Sequence, residues 1–243
     1  MTGLTGFPHP ITAVVIGAGG GIGRAVVDQL AADPGVRQIF AFARRPLAAG
    51  PKITAGTLDL EDEASIAAAA AVVGAADFVF VATGLLHDQA IQPEKTWRSL
   101  DGAALTRLFA INTIGPALVA KHFLPLLPRQ TRGVFAAISA KVGSIGDNHL
   151  GGWYGYRAAK AALNQILRTA AIELARTRPA AICAALHPGT VDTALSRPFQ
   201  AAVATDTLFA PTVSAAHMLA VINRLTPADS GGLFAWDGTR LPY

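Results

Sequence analysis

Cysteine is almost missing from this chain. Cys183 is the only one in 243 residues, which excludes an intrachain disulfide framework. It lies in an apolar run, where a thiol behaves as a small buried hydrophobe. Charge is scarce as well, at 15% of residues, with no Lys/Arg block and no interleaving of aromatic and basic side chains. The net charge of +4 and the isoelectric point near 9.6 therefore describe a mildly basic protein, and a nucleic-acid surface is not expected. The six histidines (9, 87, 122, 149, 187 and 217) show no metal-ligand spacing, so no metal is expected. The N-terminus lacks the charged, apolar and small-residue order of a secretory leader. One nearly uncharged stretch, Ala64–Leu86, is long enough to span a bilayer. It is mostly alanine, however, and Asp77 near its middle would cost about 3 kcal/mol there. Gly74 divides it into a helix-like half and a β-rich half. No membrane segment and a cytoplasmic location are the expectation.

What the chain does have is apolar bulk, 51% of residues, enough to bury a large core and to exclude intrinsic disorder. Short apolar runs alternate with helix-length segments. Strands are expected at Ala13–Ile16, Gln38–Ala43, Lys52–Thr57, Phe78–Ala82, Val134–Ser139, Ala181–Leu186 and Leu233–Trp236. Several are continuously apolar, as in a parallel sheet covered on both faces. Helices are expected at Gly21–Ala32, Ala64–Val73, Leu100–Leu127, Gly155–Arg176 and Thr212–Leu225. This βαβα order predicts an α/β fold, a Rossmann-type doubly wound three-layer sandwich on a mostly parallel sheet of about seven strands. No linker or repeat divides residues 1–243, so one dinucleotide-binding catalytic domain is expected. Pro198–Pro211 is the least assignable stretch and has the character of a flap.

The first strand runs into Gly17-Ala18-Gly19-Gly20-Gly21-Ile22-Gly23 and then directly into an apolar-periodic helix. Glycines let the backbone turn sharply and approach a pyrophosphate, whose charge is favoured at a helix N-terminus. A glycine run alone is a weak signal; its place between the first strand and the first helix is what makes it specific. The second strand ends in Phe42-Ala43-Arg44-Arg45. A carboxylate here would bind the ribose 2′-hydroxyl of NAD, whereas arginine accommodates the 2′-phosphate of NADP. Two guanidinium groups and no acid point to NADP(H).

Tyr156 and Lys160 are four residues apart on an expected helix and share one face. A phenol near pKa 10 is a poor acid–base catalyst at neutral pH, and an adjacent ammonium favours its ionised form. The ordered series Gly17-x-x-x-Gly21-x-Gly23, Asp59-Leu60, Asn112, a serine at the end of strand five, Tyr156-Arg157-Ala158-Ala159-Lys160 and Pro188-Gly189-Thr190-Val191-Asp192-Thr193 resembles the short-chain dehydrogenase/reductase family over nearly the whole chain. Val142-Gly143-Ser144-Ile145-Gly146-Asp147-Asn148, followed by Gly151-Gly152-Trp153-Tyr154, and the ending Asp237-Gly238 and Leu241-Pro242-Tyr243 are similar to its C-factor-like and carbonyl reductase-like branch. The resemblance implies an oxidoreductase that interconverts a carbonyl and an alcohol. Tyr156 would protonate the carbonyl oxygen, Lys160 would hold the nicotinamide ribose, a serine would hydrogen-bond the carbonyl, and Asn112 would hold a relay water behind Lys160. It also implies cofactor contacts from Gly17, Gly19, Gly21, Ile22, Gly23, Arg44, Arg45, Asp59, Leu60, Ala82, Thr83, Gly84, Tyr156, Lys160, Pro188, Gly189, Val191 and Thr193.

The chain departs from the family pattern in four places. Ile16 replaces a threonine before the glycine turn. Val81-Ala82-Thr83-Gly84 replaces Asn-Asn-Ala-Gly, Ala136-Ala137 lacks an asparagine, and Ala140 stands where spacing from Gly143 places the serine. Ser139, one residue early, would serve if the strand end twists or bulges; Ser144 on the following loop is the second candidate. Strand-end placement favours Ser139. A pocket walled by residues 144–154, with Trp153 and Tyr154, and by residues 190–211 suits an apolar or aromatic ketone, aldehyde or alcohol. The helices around Leu100–Leu127 and Gly155–Arg176 carry more apolar positions than one core stripe needs, so a homodimer or homotetramer is expected. The same scaffold also suits an NADP(H)-binding signalling or regulatory protein with little turnover.

Overall fold

In a computed structural model of the chain, residues 4–8, 10–202, 204 and 207–243 are described; His9 and part of the expected flap lie outside them. The strands are β1 (Ile11–Ile16), β2 (Val36–Ala43), β3 (Ile53–Thr57), β4 (Phe78–Val81), β5 (Gly133–Ile138), β6 (Ala181–His187), β7 (Thr190–Val191), β8 (Leu208–Phe209), β9 (Leu233–Ala235) and β10 (Arg240–Leu241). The helices are α1 (Gly21–Ala32), α2 (Glu63–Val73), α3 (Gly102–Phe109), α4 (Gly115–Phe123), α5 (Tyr154–Thr177) and α6 (Pro211–Arg224). The main sheet runs β10-β9-β6-β5-β4-β1-β2-β3, seven parallel strands closed by β10, which pairs antiparallel with β9. β7 and β8 form a separate parallel ribbon.

The continuously apolar strands are explained by a core on each face. Val15, Phe80, Ala136 and Ala184 pack towards α1 and α6, while Val14, Val79, Phe135 and Cys183 pack towards α2, α4 and α5. The chain winds outward from β1 through β2 to β3, then returns to β4 and winds the other way. The switch point thus lies between β1 and β4, and ligands of such sheets bind outside the carboxyl ends there. Ala64–Leu86 folds as α2 and β4, as its composition indicates. Among the described residues, Gly102–Leu126 is long and apolar enough to cross a membrane by length and composition; here it packs beside α2 and α5.

The expected single helix Leu100–Leu127 is corrected. α3 ends at Phe109, a π turn spans Ala110–Ile114, and α4 follows before a 3₁₀ turn at Leu124–Leu126. The physical cause is Pro116, which has no N–H to donate to the carbonyl of Asn112 four residues earlier. Such π turns concentrate at functional sites, and this one holds Asn112 fully buried while Ile114 is exposed. β5 ends at Ile138, one residue short of the expected Ser139.

Candidate active site

The glycine turn forms as its spacing requires. Gly17 has φ +87°, and a Cβ on it would meet the Ala82 carbonyl oxygen at 2.7 Å. A Cβ on Gly23 would lie 2.2 Å from the Gly17 oxygen, so this residue lets α1 start against the strand. Gly20 precedes α1 without a side-chain cap, and its first turn carries no acid. Gly20, Gly21 and Ile22 line a cavity of about 700 Å³ that crosses the carboxyl ends of the strands. The Gly20 N–H is taken by the Gly17 carbonyl at 3.0 Å, and the uncapped N–H groups that open α1 suit a phosphate. Ala82, Thr83, Gly84, Pro188, Gly189, Val191 and Thr193 also line the cavity. The Thr83 hydroxyl is buried without a partner, and its methyl packs against Gly17.

Arg44 lines the cavity; Arg45 is exposed and does not. Asp59 and Leu60 also lie outside the lining. Asp59 accepts the Glu61 N–H at 3.1 Å, and Leu60 packs under Gly115. Gly17, Gly19 and Gly23 act through the shape of the turn rather than as wall.

α5 carries the catalytic candidates. Its entry needs unusual backbone, with Gly151, Gly152 and Trp153 all at positive φ. Glu94, buried in the loop before α3, secures that entry: its carboxylate accepts the Gly155 N–H at 3.2 Å and its carbonyl accepts that of Trp153. Tyr156 and Lys160 are both buried at the cavity. Lys160 Nζ donates to the Ile138 carbonyl at 2.9 Å and lies 5.9 Å from the centre of the Tyr156 ring. Burial pushes the Tyr156 phenol above its ordinary range and pulls the Lys160 ammonium down to about 7.

Asn112 joins them from the π turn. Its amide donates to the carbonyls of Leu85 (2.7 Å) and Leu108 (2.9 Å), and its Oδ1 accepts the Leu85 N–H at 3.0 Å. A Cβ on Gly84 would sit 3.5 Å from Asn112 Oδ1 and 3.8 Å from Lys160 Nζ, so one small residue separates the two.

Both candidate serine hydroxyls are engaged within the protein. Ser139 is on the wall, but its Oγ donates to Asn164 Oδ1 at 2.6 Å; Ser144 lies off the wall and accepts the Asp147 N–H at 3.1 Å. Ser139 thus borders the cavity with its hydroxyl engaged by Asn164. Strand alternation turns it towards α5, and Ala140 packs a methyl against Tyr156 and Leu86 instead.

Several wall or support residues escaped the sequence, Glu94 among them. Asn164 sits eight residues after Tyr156 on the same helical face, a spacing that would have revealed it. His187 directly precedes Pro188-Gly189 and lines the cavity. Phe199 lies in the 3₁₀ segment Arg197–Ala202, inside the stretch read as a flap. It stacks edge-on to Trp153 at 5.1 Å and to His87 at 5.5 Å; Trp153 in turn contacts Tyr156 at 6.4 Å. Of that stretch, residues 203, 205 and 206 lie outside those described.

The family model for short chain dehydrogenase matches residues 11–204. The 1-hydroxy-2-glutathionyl-2-methyl-3-butene dehydrogenase of Rhodococcus sp. is 31% identical over 96% of this chain and 99% of its own. C-signal of Myxococcus xanthus is 36% identical over 59% of this chain and 81% of its own. Among solved structures, an NADPH-bound carbonyl reductase from chicken fatty liver superposes with a TM-score of 0.81 at 26% identity, covering 97% of this chain and all of that one. Matched by the family model over residues 11–204 and 31% identical to the Rhodococcus dehydrogenase over 96% of its length, this chain belongs to the short-chain dehydrogenase/reductase family of oxidoreductases.

Proposed function

We propose that this protein is an NADP(H)-dependent oxidoreductase, of the carbonyl reductase or alcohol dehydrogenase type, that interconverts a small apolar or aromatic carbonyl compound and its alcohol. The observation that carries the reading is the cavity itself, which joins the uncapped α1 N-terminus and Arg44 at one end to Tyr156 and Lys160 at the other. The residues fit a nicotinamide dinucleotide: Gly17 and Gly23 leave no room for a side chain at the turn, and the orphaned Thr83 hydroxyl offers an extra donor. Arg44 suits a 2′-phosphate, with Arg45 beside it as an outer charge. The NADPH-bound chicken relative supports this choice.

When bound, the cofactor supplies the hydride that enters or leaves the carbonyl carbon. Tyr156 delivers its phenolic proton to the oxygen in reduction and takes one in oxidation. Lys160 stabilises the phenolate left behind and holds the nicotinamide ribose. Asn112 completes the proton path, because Pro116 cannot cap its carbonyl, which remains a site for a relay water. Ser139 works through Asn164, holding the end of β5 whose Ile138 carbonyl anchors Lys160. Leu86, Val142, Trp153, Leu195 and Phe199 make the substrate wall apolar. The protein is proposed to act in the cytoplasm as a homodimer or homotetramer.

A second reading, an NADP(H)-binding signalling protein with little turnover, is favoured by the methyl of Ala140 in place of a hydroxyl and by similarity to C-signal. NADPH oxidation against a panel of aldehydes and ketones separates the two. Saturable turnover supports the enzyme; tight NADPH binding without turnover on any of them supports the second reading.

A further inference from the structure

One polar side chain on the cavity wall has no task in the reaction described above. His187 is the last residue of β6. Ile138 pairs with Leu186, so Ser139 and His187 are the next residues outward on adjacent strands. Cys183 and Ala185 face the α5 side of the sheet, and alternation places His187 on that side too, beside the helix that carries Tyr156 and Lys160.

The imidazole is half-buried, and its Nδ1 is buried without a hydrogen-bond partner. His187 lines the cavity, which leaves Nε2 as the nitrogen available to a ligand there. A buried nitrogen with no acceptor nearby is best left unprotonated, which puts the proton on Nε2 and makes it a donor. Burial, with Lys141 adding to it and Asp237 opposing, pulls the ring down to about 4, so it stays neutral across the physiological range. A neutral N–H donor is costly to leave unpaired once a ligand excludes water.

We propose that His187 is a specificity-determining residue that donates from Nε2 to a second oxygen of the substrate. His187 and Tyr156 line the same cavity, so a substrate whose carbonyl oxygen meets Tyr156 can present a second oxygen to His187. The preferred class is an apolar carbonyl compound with a second acceptor oxygen close by: a diketone, a keto ester or a hydroxy ketone. Ala140 strengthens the case. Its methyl gives the first oxygen no second donor, so recognition falls on the second. This inference rests on the carbonyl-reducing reading, and its test is built so that the two fail separately.

The test measures binding to the NADP⁺-loaded protein, where no turnover occurs. Calorimetry would compare 1-phenyl-1,2-propanedione with propiophenone, which lacks the second oxygen, for the wild type, His187→Phe and His187→Asn. The expected result is that the wild type prefers the diketone at least tenfold. His187→Phe removes that preference, and His187→Asn, which keeps an N–H donor, restores part of it. NADP⁺ affinity is measured alongside. Equal affinity of the wild type for both ketones, equal losses for both in His187→Phe, or a main effect on NADP⁺ binding would overturn the proposal. Diketone binding with the expected preference but no reduction by NADPH would instead overturn the enzymatic reading and leave the binding role standing.

Discussion

Ser139 donates its hydroxyl to Asn164 Oδ1 at 2.6 Å, so the serine that borders the cavity just past the end of β5 has its donor already engaged. Ser139→Ala strips a buried amide oxygen of its donor and should cost about 1–3 kcal/mol of stability. Its kcat should fall by less than about tenfold, because no donor to the carbonyl is lost. Ser144→Ala should change less in both respects. Ala140→Ser, which restores a hydroxyl beside Tyr156, should raise kcat on simple ketones. Steady-state kinetics and thermal melts check the set; a fall of about 10²–10³ in Ser139→Ala would show that the hydroxyl leaves Asn164 to polarise the substrate.

Lys160 is a stability cost retained for chemistry. Its ordinary pKa of 10.5 drops to about 7 in the folded protein through burial. Below pH 7 both states hold the proton, and the folded state bears the full cost of the buried ammonium. Between about 7 and 10.5 the unfolded chain binds a proton that the folded one has released, so stability rises with pH. Lys160→Met should therefore melt above the wild type at pH 6, with the gap closing towards pH 10, while turnover is lost. A gap independent of pH would show that Lys160 does not titrate in this window. Reductive kcat/KM of the wild type should also fall as pH rises through about 7, where the ammonium disappears.

Arg44 lies on the cavity wall and Arg45 does not, although the sequence offers both equally. NADPH should bind more than about tenfold tighter than NADH, as expected for a bidentate charge-assisted contact. Arg44→Ala should remove most of that preference, and Arg45→Ala much less. Fluorescence titration of the reduced cofactors measures it. Equal affinities for the two cofactors in the wild type would remove the 2′-phosphate assignment.

The parallel sheet, α1 at Gly21–Ala32 and the Tyr156–Lys160 face were legible because each follows from local order: apolar runs, glycine spacing and helical periodicity. The π turn was not, because reading it requires linking Pro116 to Asn112 through a hydrogen bond that fails to form. The Ser139 orientation was hidden for a related reason. Only the face towards which β5 presents its odd-numbered residues decides it, and that is set by α5, far along the chain. His187 carried a signal, a histidine ending an apolar strand before Pro188-Gly189, but its orphaned Nδ1 is a tertiary fact.

Exposed Ile114 beside α4 and Ile172 on α5 leave apolar area on the helices expected to meet a second copy. Light scattering at micromolar concentration should give a dimer or tetramer of the 25.1 kDa chain. A mass of one chain only would contradict it.

The central claim is that Tyr156 supplies the proton, and Tyr156→Phe tests it most directly. Turnover of NADPH with a carbonyl substrate and the dissociation constant for NADPH would be measured on the same preparation. Loss of kcat by about 10²-fold or more, with NADPH affinity within about threefold of the wild type, is the result expected for removing a general acid alone. Substantial turnover by the phenylalanine variant would take Tyr156 out of the mechanism and contradict the account.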